Sequence, residues 1–388
     1  MKKQTQEYNV RAPKKRIKHD SVAAMIGTFM LFILCAFAII GGDKEYSENE
    51  NRFLALRPKF SLSAVEEGKF MKDTDSYFSD QFLFRDAFVG LRTKIDIFFG
   101  KRDINGVYVG DDHFLFEKPS VYDEERVTKT TDMMNKIRLK NPGINSYVAI
   151  APNSNEILSD HLPKNAPVPD QTAQISKIYS NLNGFTCIDL CTPLKSTASP
   201  EMLYYRTDHH WTSAAVDIAY EQIATHMQLE MGTHHYEYLA VTNDFQGTLA
   251  SSSGIFSTKD TIYIPAFQND VKYKVTYVQE NKTVMSVFDR TKLNEKNKYE
   301  VFFGGNFSQI NIETNSANDR TLLVIKDSYA NSLIPLLIPH YRNIIIVDPR
   351  YYNGNIQQTI EEEGVTDILW MYNANTFLND TSISEKFS

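Results

Sequence analysis

Cysteine is scarce: the 388-residue chain has three. Cys35 falls in an apolar run near the N-terminus. Cys187 and Cys191 sit in FTCIDLC, where a continuous strand would hold their Cα atoms about 13 Å apart, beyond disulfide reach. A turn between them would close that gap; two small buried thiols is the competing reading. No C-x-x-C and no zinc-type spacing occurs, so redox dithiol and zinc-ribbon classes have no support. Internal repeats and low-complexity tracts are absent too. Positive charge is scarce where it would matter for nucleic acid. Seven of the 41 Lys and Arg, but two of the 48 Asp and Glu, fall in residues 1–20, so the remainder carries a net charge of −12. Such a surface repels nucleic acid and anionic headgroups. Aromatics, in contrast, are plentiful. The 21 Tyr suit a packed core and also suit sugars, whose C–H faces stack on rings.

The seven basic residues of 1–20 precede VAAMIGTFMLFILCAFAIIG, from Val22 to Gly41, which has no charge, and acidic Asp43, Glu45, Glu48 and Glu50 follow. About 20 apolar residues in a helix cross a hydrocarbon core of about 30 Å. The positive-inside rule keeps residues 1–20 in the cytoplasm and exports the rest. A cleaved signal peptide is the rival reading. The run is long for one, and no clear A-x-A site follows. The expected organisation is a basic cytoplasmic tail (1–20), a transmembrane anchor (21–42), a polar stalk (43–61) and an extracytoplasmic domain (62–388).

Apolar spacing predicts helices over 62–100, then a strand–turn–strand at 107–117 and a helix near 123–140. Further on, NSYVAIAP (145–152), GFTCIDL (184–190), TLLVIKD (321–327), RNIIIVDP (342–349) and TDILWMYN (366–373) predict buried strands. Helices near 170–183, 213–227 and 356–363 and after Ser328 alternate with them. That alternation predicts an α/β fold with a parallel sheet covered on both faces. Residues about 240–318 alternate in β fashion and suggest an inserted antiparallel segment.

Two stretches could carry chemistry. TDHHWTS (207–213) places Asp208, His209, His210 and Trp211 together, and IKDSYANS (325–332) puts Ser328 between a buried strand and a helix. Ligands of doubly wound folds bind at the carboxyl ends of strands. A serine there has its hydroxyl at the cleft rim and its own N–H at a helix N-terminus, suited to an oxyanion. The hydroxyl needs a base, and histidine oriented by a carboxylate is the usual one. Bland readings compete. Asp327-Ser328 also suits a helix N-cap, and paired histidines in a polar loop are often only solvated. A metal held by Asp208, His209 and His210 with His234-His235 is disfavoured, because neighbouring histidines point apart.

TDHHWTS resembles the signature of the DHHW proteins, which are similar to the alginate O-acetylation proteins of the SGNH-hydrolase-like superfamily. ENRFLALRP (50–58), FSDQFLFRD (78–86), GVYVGDDHFLFE (106–117) and LLVIKDSYANSL (322–333) extend the resemblance in the expected order. It implies an SGNH-hydrolase-like three-layer α/β/α domain with Ser328 as nucleophile, His210 as general base and Asp208 as its partner. Chain order is Asp, His, Ser, as in the alginate proteins, and geometry rather than order defines a triad. Lys326 stands where a GDS motif has Gly, and no G-x-N-D block is present. Oxyanion candidates are Tyr329, through its N–H, with Asn153 and Asn155; Tyr205, Arg206 and Trp211 are candidate substrate contacts, though packing competes at each. The resemblance implies an O-acetyltransferase acting on a cell-surface or secreted polysaccharide through an acyl-serine. A multi-spanning membrane-bound O-acyltransferase would deliver the acetyl group; no cofactor and no metal are expected. A polysaccharide O-acetylesterase and a non-catalytic polysaccharide-binding or export-complex scaffold are the alternatives.

Overall fold

The computed structural model describes residues 21–30, 32–33, 43–47, 52–82, 84–231, 235–267 and 271–387. Residues 21–30 and 32–33 are helical and exposed, while 34–42, the second half of the expected anchor, lie outside the described residues. Among the described residues no helix is long and apolar enough to cross a membrane.

The chain divides into a small N-terminal unit ending at Leu91 and a large unit from Arg92 to Ser388. In the small unit, β1 (Tyr46–Ser47) pairs antiparallel with β2 (Arg52–Phe53), and helices Leu62–Glu66 and Lys69–Asp80 follow. Gly68, at φ 71°, makes the left-handed break between these helices. The Asp80 carboxylate gathers this unit, accepting from the Arg52 guanidinium at 2.9 and 2.5 Å and from the Ala55 N–H at 2.8 Å.

The large unit opens with a three-stranded antiparallel sheet: β3 (Asp103–Ile104), β4 (Val107–Val109) and β5 (Leu115–Glu117). Its main sheet starts with β6 (Asn145–Ala151) and β7 (Thr186–Ile188). Strands β8 (Tyr236–Phe245) and β9 (Asp260–Phe267) form a separate hairpin. The chain then returns to the main sheet with β10 (Tyr273–Tyr277), β11 (Lys282–Val284), β12 (Gln309–Thr314), β13 (Thr321–Lys326), β14 (Asn343–Val347) and β15 (Asp367–Asn373). Strand order is β11-β10-β12-β14-β13-β15-β6-β7. The five strands from β14 to β7 are parallel, and β13 lies between β14 and β15, with Val324 opposite Ile346 on one side and Leu369 on the other.

Every residue of β13 and β15 is buried, as continuous apolar strands between helical layers require. Alternation sends Leu322 and Val324 to one face, with Ala219 and Ile223 of helix Ser213–His226 and Leu333 of helix Ala330–Leu337. Leu323 and Ile325 face the other way, towards Met134 of helix Glu124–Lys140 and Ile178 of helix Gln171–Ser180. This is a three-layer α/β/α arrangement.

The expected inserted sheet divides in two. Only β8 and β9 stand apart, whereas β12 pairs antiparallel with β14 and carries β10 and β11 with it. The main sheet is therefore mixed rather than parallel. The physical reason is that the free edge of β14 offers unpaired N–H and C=O groups, and β12 satisfies them. Cys187 and Cys191 are free thiols, and burial pushes both up to about 11.

At the N-terminal ends of the parallel strands, Asp367 is fully buried. It accepts from Arg320 at 2.9 and 2.7 Å, from Asn145 at 3.0 Å and from the Thr366 hydroxyl at 2.7 Å. Replacing Arg320 by Ala leaves this carboxylate without its counter-ion, at the end of the sheet opposite Ser328. The expected loss is about 2 kcal/mol, below the roughly 3–5 kcal/mol of a sealed pair, because Arg320 reaches water and neutral donors remain. Urea unfolding measures it; an unchanged midpoint would mean the pair is not stabilising.

Candidate active site

The residues 203–212 form a tight loop. Tyr204 bridges Trp211, and Thr212 N–H donates to the Leu203 carbonyl at 2.9 Å. Asp260, the first residue of β9, fixes the loop's outer part by accepting from Arg206 N–H (3.0 Å), Thr207 N–H (2.8 Å) and the Thr207 hydroxyl (2.6 Å). The other half of the site follows β13, whose end delivers Asp327 and Ser328 to the carboxyl edge of the sheet.

These two segments meet. His210 Nδ1 lies 2.5 Å from Asp208 Oδ1, and His210 Nε2 lies 2.8 Å from Ser328 Oγ. A carboxylate cannot donate, so the imidazole proton sits on Nδ1 and the Nε2 lone pair accepts the Ser328 hydroxyl. Asp208 is 1% exposed and His210 is 5% exposed. Burial raises the Asp208 carboxyl, but both histidines and the hydrogen bonds from His210 and Thr248 outweigh it and hold it well below its usual range. Burial pulls the His210 imidazole down to about 4, with His209 adding to the effect and Asp208 opposing it.

Sequence reasoning missed three residues here. Thr248 donates to Asp208 Oδ2 from its N–H at 2.8 Å and from its hydroxyl at 3.0 Å. Gly247 approaches so closely that a Cβ there would sit 2.2–2.5 Å from the Asp208 side chain. Tyr299 stacks flat on His210, with centroids 3.7 Å apart and planes at 12°. A Gly-Thr pair before a short helix (Thr248–Ser253) was the available signal for the first two; Tyr299 had none.

Several expected contacts are corrected. The Tyr329 N–H donates to Asp327 Oδ1 at 2.9 Å, so it is not free for an oxyanion. Asn153 is an interior amide that donates to Tyr329 Oη and Asn373 Oδ1 and accepts from Gln171 and Asn375. Asn155 is buried as well and donates to the Glu117 carbonyl. Tyr205 and Trp211 are core residues, not substrate contacts: Tyr205 packs edge-on against Phe245, and Trp211 Nε1 donates to the Tyr329 carbonyl and to Ser332 Oγ. Arg206 is half-buried over the Phe114 ring. Among the described residues the Ser328 N–H meets no acceptor.

Lys326, in place of a motif glycine, is buried. Its Nζ donates to Asn306 Oδ1 at 3.0 Å and lies 3.5 Å from Asp348, which also holds Arg350 through two hydrogen bonds. Desolvation lowers the Lys326 ammonium from its ordinary value, and Asp348 opposes that. Asp208, His209 and His210 bring ligand-type atoms within 4.8 Å of one another. Both His210 nitrogens already face Asp208 and Ser328, and His209 Nδ1 faces Thr248 at 2.7 Å, which leaves a metal little to bind. Of the two other histidines considered, His234 lies outside the described residues, and His235 is exposed and does not join the group.

Residues 107–308, just over half of the chain, match the family described as SGNH hydrolase-like domain, acetyltransferase AlgX. The chain belongs to that family. Asp208, His210, Gly247 and Tyr299 fall within the matched stretch, and Ser328 lies beyond it. Two curated relatives are each the probable alginate O-acetylase AlgJ. That of Pseudomonas syringae pv. tomato is 24% identical over 175 residues (42% of this chain, 45% of that protein). That of Pseudomonas fluorescens is 24% identical over 184 residues (44% and 47%). The chain thus spans about half the length of the curated relatives it matches. The fold is similar to a DHHW family protein from Eubacterium siraeum (TM-score 0.61, 22% identity, 72% of this chain and 94% of that one). It is similar also to Bacillus cereus PatB1 with a sulfonyl adduct (TM-score 0.61, 18% identity, 73% and 97%).

Gly247→Ala tests the approach to Asp208. The methyl group must push the carboxylate away from His210, so turnover of an acetyl ester should fall by about 100-fold, the order expected of a displacement near 1 Å. Activity at the wild-type level would show that Asp208 does not orient His210.

Proposed function

We propose that this AlgX-family protein is an O-acetyltransferase that modifies a cell-surface or secreted polysaccharide through an acyl-serine intermediate. The carrying observation is the hydrogen-bonded chain from Asp208 through His210 to Ser328 at the carboxyl edge of the sheet. Membership of the AlgX family supports acetyl as the group transferred, and the likeness to alginate O-acetylases supports a polysaccharide acceptor.

In this reading Ser328 Oγ attacks the acetyl carbonyl carbon while His210 Nε2 takes its proton. Asp208 holds the resulting imidazolium, and the Ser328 N–H donates to the developing oxyanion. The bond to the leaving group breaks, and that group departs with the proton from Nε2. A sugar hydroxyl then enters and gives its proton to Nε2 as its oxygen attacks the acetyl-Ser328 carbonyl. Collapse returns the proton to Ser328 Oγ and releases the O-acetyl sugar. The apolar run 22–41 anchors the protein with its N-terminus in the cytoplasm and this site outside. A multi-spanning membrane-bound O-acyltransferase supplies the acetyl group there.

The test mixes the full-length chain with an activated acetyl ester, with and without oligosaccharide, beside Ser328→Ala and His210→Ala. Wild type should release the leaving group and carry one acetyl group on Ser328, and both variants should lose about 1,000-fold or more. Acetylated oligosaccharide as product supports transfer; free acetate alone supports the esterase alternative. A folded wild-type protein with no turnover and no acyl-enzyme would sink the catalytic reading in favour of a scaffold.

The pH profile offers a second check. A base must be neutral to accept the Ser328 proton, and burial holds His210 down at about 4. Activity on the ester should therefore rise as pH climbs through about 4 and be level by neutral pH, rather than rise near the ordinary histidine value. An acid limb centred above pH 6 would contradict a desolvated His210.

A further inference from the structure

Tyr299 comes from a short 3-10 turn (Lys298–Val301) that no motif marks, yet it covers one face of His210. The rings are 3.7 Å apart and nearly parallel, at 12°. His209 covers the opposite side less squarely, at 3.9 Å and 36°. The Tyr299 hydroxyl reaches across to the nucleophile's own turn, lying 3.1 Å from Ser332 Oγ and 3.4 Å from the Ser328 carbonyl. Trp211 Nε1 donates to the same Ser332 oxygen. One buried aromatic ring therefore touches the base through its face and the serine turn through its edge.

We propose that Tyr299 is a positioning residue for the base: its ring face holds the imidazole square to Ser328 and stabilises the imidazolium formed when Nε2 takes the Ser328 proton. The inference rests on the acyl-serine reading above. Its chemistry is that of a cation over an electron-rich face, which strengthens as the imidazole becomes charged and weakens when it is neutral. The contact thus favours the transition state over the resting state, and a stack that merely filled space would not. The other titratable or charged groups around His210 are Asp208 and His209 on its own loop, Tyr329 after β13, and Arg350 after β14. Asp208 favours the imidazolium, while His209 and Arg350 oppose it. Tyr299 stacks flat on its ring.

The experiment compares kcat/KM against pH for the full-length wild type, Tyr299→Phe and Tyr299→Leu with the activated acetyl ester, checking by intrinsic fluorescence that each stays folded at every pH. Tyr299→Phe keeps the ring face and loses the hydroxyl. It should retain the wild-type acid limb, with a plateau within about threefold. Tyr299→Leu loses the face, so the imidazolium becomes harder to form. Its acid limb should move to lower pH by about one unit and its plateau should fall about five- to thirtyfold. A leucine variant whose acid limb stays in place or moves to higher pH would overturn the inference, the latter by showing that the ring only excludes water. A phenylalanine variant as impaired as the leucine one would overturn it too, assigning the effect to the hydroxyl. Absence of turnover in wild type would overturn the acyl-serine reading itself and this inference with it, so the two failures are told apart by the wild-type trace alone.

Discussion

Removing a carboxylate from water costs several kcal/mol unless donors replace the lost hydration, and Asp208 is 1% exposed. Four donors converge on it: the N–H and Nδ1–H of His210, and the N–H and hydroxyl of Thr248. The two from His210 are local, but the two from Thr248 come from 40 residues downstream and are available only in the folded chain. Thr248 reaches Asp208 only because Gly247 lets the backbone come within contact of the carboxylate. Thr207, next to Asp208, is held in turn by Asp260 at the start of β9 and donates no less than three bonds' worth of constraint together with Arg206. Asp260 at the start of β9 and Thr248 at the start of the helix Thr248–Ser253 therefore both help to hold Asp208 in place, where it fixes the tautomer of His210.

A second sealed carboxylate does comparable work on the Ser328 side. Asp327 is fully buried at the end of β13; it accepts from the Tyr329 N–H through one oxygen and from the Asn373 N–H and amide through the other. Burial raises this carboxyl from its ordinary value, with Arg350 and the backbone donors opposing. Asn373 then contacts Asn153, and Asn153 contacts Asn375, so the carboxyl ends of β13, β15 and β6 are joined by side-chain amides. Carboxamides at the rim of a cleft look like oxyanion donors in sequence, but these are structural ties whose hydrogens already have acceptors. The Ser328 N–H, by contrast, meets no protein acceptor among the described residues.

Much of the fold was legible because buried parallel strands are uniformly apolar. TLLVIK, NIIIV and DILWMYN each sit in the sheet within a residue or two of the expected span. The pairing of β12 with β14 was not legible, since an antiparallel strand with one covered face looks the same whether it joins the main sheet or a separate one. At the site, spacing offered Asp208, His210 and Ser328 only beside a helix cap and solvated histidines, and the resemblance of TDHHW to the DHHW signature is what singled them out. Tyr205 and Trp211 were ambiguous for the opposite reason: an aromatic beside a reactive loop fits a sugar face and a core equally well, and only burial separates the two. Thr248, Gly247 and Tyr299 act from segments about 40 to 90 residues downstream of the motif they support, and no local pattern announces such a contact.

His210 and Ser328 lie 118 residues apart in sequence, yet their single hydrogen bond is 2.8 Å long. One such bond contributes only about 1 kcal/mol net and cannot by itself hold two loops in register. The register comes from what lies beneath it. Trp211 reaches from the His210 loop to the Tyr329 carbonyl and Ser332 Oγ beyond Ser328, and the Tyr329 hydroxyl reaches back to the His209 carbonyl. The Trp211 bonds are buried, so breaking either strands a polar atom away from water, which is costlier than the bond is favourable. The order of the segments along the chain is then immaterial. What the fold must hold is the pair of turns and the aromatic residues that lock one against the other, with His210 and Ser328 carried on top.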